Sequence, residues 1–143
     1  MGPASRGSWI PVALFVGAFY LVAGLVFGEL ARRAPTHAML VASRLAAWVV
    51  SGIAYAAQIV YGHARLRASV RAIALHASLA VALGAFGLAV AANVHSLTVA
   101  DRSHAGRLYL ALIAWPVLAG LPSFVVALVL AAVLARLWPR ARP

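Results

Sequence analysis

The sequence predicts an all-α membrane protein, with four transmembrane helices arranged as an up-down-up-down bundle. Three observations lead there. Of 143 residues, 65% are hydrophobic and only 10% are charged, whereas a soluble domain is roughly half apolar and about a quarter charged. The mean hydropathy is +0.98. The apolar residues also gather into four long runs, each comparable to the ~20 helical residues that cross a hydrocarbon core. These runs are too continuous for the alternation of a barrel strand, and lipid leaves no backbone group unpaired, so each run reads as a helix.

The runs cover about 9–30, 38–62, 72–94 and 108–135, in a single transmembrane domain over 1–143. The first has no charge between Trp9 and Gly28. It is longer than a usual signal-peptide core, and Glu29, Arg32 and Arg33 suit a cleavage site poorly, which favours a retained span. The second is apolar except for Arg44 and Gln58, and Thr36 is placed to cap its start. The third carries only His76, Ser78 and Asn93 as polar breaks. The fourth has length to spare and holds Pro116 and Pro122, the expected sites of a helix kink. Ser51, Tyr55 and Gln58 share one face of the second span and are placed to hydrogen-bond toward that kink.

Arginine placement orients the bundle. Arg6, Arg65, Arg67, Arg71, Arg136, Arg140 and Arg142 fall on one side, while Arg32, Arg33, Arg102 and Arg107 fall on the other. The positive-inside rule then places both termini in the cytoplasm. Trp9, Tyr61, Tyr109 and Trp138 sit near span ends, as interfacial aromatics do. All twelve cations are arginine, and the high Ala, Gly and Pro content suggests a GC-rich bacterial genome and hence an inner membrane. The net charge of +10 is expected to meet anionic lipid headgroups. Nucleic acid is not expected as a partner, because no soluble domain exists to read a groove.

Few polar groups enter the predicted membrane region. Arg44 lies about 9 Å along the second span, taking 1.5 Å per residue from Ala38. It either pairs with Glu29 across the first hairpin or snorkels to the headgroups. Glu29 can equally pair with Arg33, one turn on. Among the five histidines, only His76 sits about a turn inside a span, which makes it the one candidate cofactor ligand. His76 and His95 are nineteen residues apart, nearly the full membrane thickness, so they do not form a haem-burying pair. Gly17, Gly24 and Gly28 on the first span, and Gly84 and Gly87 on the third, mark close helix packing.

Chemistry is scarce. The chain has two carboxylates and no cysteine, so paired-carboxylate hydrolysis, carboxylate-rich metal sites and thiolate chemistry lack their parts. No catalytic residues, metal ligands or cofactors are assigned. The leading expectation is a non-catalytic membrane protein acting by packing, as a homo-oligomer or as an accessory subunit of a larger membrane complex. The alternatives are a small transporter or channel with a Glu29/Arg44 site and a broken helix at Pro116–Pro122, and a haem- or pigment-binding protein using His76.

Overall fold

The computed structural model describes residues 9–98 and 105–138. Four helices account for nearly all of them: α1 (Trp9–Arg32), α2 (His37–Ala64), α3 (Val70–Thr98) and α4 (Ala105–Leu137). All four are long and apolar enough to cross a membrane, which makes this a multi-pass architecture. Each helix runs a few residues past the apolar stretch that announces it. Arg6, Asp101, Arg102, His104, Arg140 and Arg142 lie outside the described residues.

Local chemistry sets the ends. Pro11 stands in the first turn of α1, where its missing N–H would have had no helical partner anyway. Pro35 follows the end of α1, and the chain turns over 33–36. Thr36 then caps α2 from an extended conformation, its Oγ1 accepting from the Met39 N–H at 3.2 Å. After Ala64 the Arg65 and Leu66 amides both bond to the Tyr61 carbonyl. Arg67 adopts φ 47°, a left-handed turn that reverses the chain. Ser69 starts α3 by accepting from the Ala72 N–H at 3.3 Å. α4 is helical without interruption through both Pro116 and Pro122.

Contacts give the order of the bundle. On α1 and α3, Gly17 meets Leu83, Tyr20 meets Gly84, Leu21 meets Gly87 and Gly24 meets Leu88. Both numbers rise together, so α1 and α3 are parallel neighbours. On α3 and α4, Ala82 meets Gly120, while Ala74 and Ala77 share a core cluster with Ala127 and Ala131. Those numbers run oppositely, so this pair is antiparallel. α2 completes the ring, touching α1, α3 and α4, whereas α1 and α4 make no contact among the described residues. α3 therefore lies between α1 and α4 rather than following its hairpin partner around the ring.

The interior is built of small residues. Among the described residues Ala74, Ala77, Ala80, Ala127 and Ala131 are fully buried, and no large side chain is. Most of the large apolar groups point outward, with Trp48 79% and Phe15 75% exposed, Ile59 and Ile73 being buried exceptions. In water such a surface would aggregate, but in lipid it meets a solvent as apolar as itself. Packing is also lopsided. In α2 the buried residues are Gln58, Ile59, Gly62 and His63, and in α4 they are Ala127 and Ala131. All belong to the end that carries Trp9, the 65–69 turn and Trp138, the tight end of the bundle.

A Cβ at Gly84 would stand 2.6 Å from that of Tyr20, whereas one at Gly28 would meet nothing within 4 Å. Within this chain Gly24 packs on Leu88 of α3, whereas Gly28 faces outward. Gly84→Leu is expected to destabilise the bundle by about 1–3 kcal/mol, the usual effect of overpacking. Gly28→Leu is expected to leave stability within about 0.5 kcal/mol, as outward substitutions do. Reversible unfolding in mixed micelles would compare the two, and equal losses would contradict this packing.

Candidate functional site

The polar side chains of the bundle collect mainly at the tight end. Tyr55, Gln58, Ile59, Gly62 and His63 lie at i, i+3, i+4, i+7 and i+8 on α2, one continuous helical face. That face turns inward as α2 approaches α3 and α4. Gln58 is only 8% exposed, and its Nε2 donates to the His76 carbonyl of α3 at 3.3 Å. Its Oε1 is buried with no protein partner. His63 is 4% exposed, with Nε2 3.2 Å from the Trp138 carbonyl. A carbonyl only accepts, so Nε2 carries the proton in that contact.

His76 stacks on Trp9 of α1, with ring centroids 4.2 Å apart and planes 5° from parallel. This contact ties the start of α1 to the first turns of α3. Trp9, Val12, Gln58, Tyr61, Gly62, Leu66, Ile73 and His76 enclose a small cavity. About 10 Å³ of it is open to the centre of a water molecule, room for about one water.

Deeper in the bundle, the Tyr55 hydroxyl donates to the Ser123 carbonyl of α4. Tyr55 thus ties α2 to one turn of α4. The contact lies one residue past Pro122, on the face of α2 expected to reach that region. Gln58, on the same face, reaches α3 instead. Tyr20 of α1 has a buried hydroxyl without a partner among the described residues.

The charged residues singled out in the sequence stand apart from this cluster. Glu29 is paired with Arg32 on its own helix and with Arg33 just past the helix end. Arg44 sits seven residues into α2 and is exposed, about 10 Å from the helix start. Among the described residues, the ion pairs of Glu29 are these two, and Arg44 belongs to neither. Pro116 is half-buried and Pro122 exposed on α4. Gly17, Gly24, Gly84 and Gly87 lie between α1 and α3. The sequence reading passed over His63, which the fold buries more deeply than His76. The signal was its place at i+8 from Tyr55 on the inward face.

Chemically, the cluster links helices. It holds imidazole, amide and phenol groups. Among the described residues no three His, Asp or Glu converge there as a metal site requires.

Two expected outcomes follow from these placements. Tyr55→Phe should lower stability by about 0.6 kcal/mol, the average for an interhelical hydrogen bond in lipid. A double-mutant cycle between Glu29→Gln and Arg44→Gln should show additivity within about 0.5 kcal/mol. A larger coupling would mean the two side chains meet across the first hairpin.

No family model matches the chain, and neither the curated proteins nor the solved structures include a significant match to it.

Proposed function

We propose that this chain is a non-catalytic protein of a bacterial inner membrane that acts by helix packing, as a homo-oligomer or as an accessory subunit of a larger membrane complex. One observation carries this reading: from His37 to Ala57, α2 has no buried residue. Its exposed positions there include Ala38, Ala42, Leu45, Val49, Gly52 and Ala56. These recur at alternating four- and three-residue steps, the spacing by which one helix seats against another. Gly52 has open space where a Cβ would be, which allows close approach of a second backbone. The small residues of α1, α3 and α4, by contrast, are largely engaged within the chain.

Both termini are placed in the cytoplasm in this reading. The tight end carries Arg65, Arg67 and Arg71 around its turn and Arg136 in the last turn of α4, and the positive-inside rule supports that orientation. Those arginines, with Tyr61 and Trp138 exposed beside them, suit the headgroup region of an anionic leaflet.

Native mass spectrometry after gentle extraction tests the proposal. The expected result is a homo-oligomer or a stoichiometric co-purifying membrane protein, lost on Gly52→Leu while the helical content is retained. A solitary monomer that conducts ions in planar bilayers would overturn it in favour of a transport role.

A further inference from the structure

We propose that the outward stripe of α2 pairs with the same stripe of a second copy of this chain, forming a parallel two-helix seam about a two-fold axis along the membrane normal. This pairing rests on the packing role proposed above and names what covers that face. The seam consists of Ala38, Ala42, Leu45, Val49, Gly52 and Ala56, all exposed. At 1.5 Å per residue it is about 27 Å long, close to the ~30 Å of a hydrocarbon core.

Composition sets this face apart from a surface made for lipid. The other helices turn large apolar groups outward, such as Phe15 and Val22 on α1, Leu83 and Phe86 on α3, and Ile113 and Leu118 on α4. Their exposed alanines and glycines are limited to Ala18, Gly28 and Ala92 among the described residues. α2 is the least apolar of the four spans and also the least buried. Its stripe continues at the same three- and four-residue steps through Ile59 and His63, and there the chain itself covers it. Ile59 belongs to the core cluster with Ala127 and Ala131, and His63 meets the Trp138 carbonyl. The stripe is thus already a packing face at the tight end, and from Ala56 back to Ala38 a second helix would extend the same contact.

The order of residues identifies that helix. Val49 takes the a position and Leu45 the d position of a heptad, the combination that favours two parallel strands. Copies inserted with the same topology present α2 in one direction and at one depth. A two-fold axis then sets each seam residue against its own counterpart, and any charge on the seam would meet its like. The seam carries none. Arg44, Ser51 and Gln58 recur at seven-residue steps on a separate line of the helix, which keeps the two Arg44 side chains off the axis. Trp48 and Ile53, 79% and 65% exposed, flank the seam on its two sides and would shield it from lipid. Between them Gly52 and the alanines let the backbones approach closely.

The chain has no native cysteine, so single cysteines report on the seam directly. Full-length variants Ala42→Cys, Leu45→Cys, Val49→Cys and Gly52→Cys are oxidised in native membranes beside two exposed controls, Ala57→Cys on the flank of α2 and Phe15→Cys on α1. The expected result is a covalent dimer of two chains at each seam position and little at the controls. Equal cross-linking at seam and controls, or none at the seam, would overturn the pairing. If the seam stays unlinked while a different membrane protein co-purifies stoichiometrically, the second copy is excluded and the packing role stands. Should the variants fail to insert, native mass spectrometry of the wild type from lipid nanodiscs decides. Two chains per particle are expected, and a single chain would overturn the pairing.

Discussion

A helix in hydrocarbon gains little by hiding leucine from its surroundings, because lipid tails are as apolar as leucine. What holds helices together there is the number of atoms they bring within van der Waals range, and each atom pair contributes only about 0.1–0.2 kcal/mol. Close approach over a long distance is the remedy. α3 achieves it on two sides at once, with Gly84 and Gly87 against Tyr20 and Leu21 of α1, and Ala74, Ala77 and Ala82 toward Ala127, Ala131 and Gly120 of α4. Every other feature of the bundle is arranged around that double contact. Among the described residues α1 and α4 do not touch, because α3 stands between them.

Hydrogen bonds refine this arrangement instead of creating it. Tyr55 engages a single turn of α4, Gln58 reaches the His76 carbonyl, and His63 meets the end of α4. Together they draw the last two turns of α2 inward, and with them the 65–69 turn. The first five turns of α2 have no such tether. The helix is therefore anchored at one end and open to lipid, or to another helix, along the rest. Arg44 sits exposed on that open stretch.

Much of the fold was legible in the residues. Hydropathy located all four helices, since an uninterrupted apolar run admits little else in a bilayer, and Thr36 marked the start of α2 through its cap. The ring order was not legible. Short connections suggest that sequential helices are neighbours, but which faces meet depends on where small side chains align in three dimensions. Glycine spacing marked Gly17 and Gly24 as packing positions and gave the same weight to Gly28, which faces outward, because spacing alone does not say which face is inward. His63 was hidden for a related reason. A histidine beside an arginine-rich turn reads as interfacial, and only the shared face with Tyr55 and Gln58 hints that it turns inward. The Trp9–His76 stack joins residues far apart in the chain and leaves no sequence trace.

The absence of native cysteine gives a clean background for the most direct test of α3 as the shared axis. Cysteines introduced at 17 with 83, and separately at 120 with 82, replace positions whose Cβ atoms would stand 3.0 Å and 3.3 Å apart, close to the ~3.8 Å of a disulfide. Oxidation in native membranes should cross-link both pairs within one chain, joining α1 to α3 and α3 to α4. If neither pair closes while cysteines at 17 and 120 do, α1 packs on α4 and the central place of α3 is contradicted.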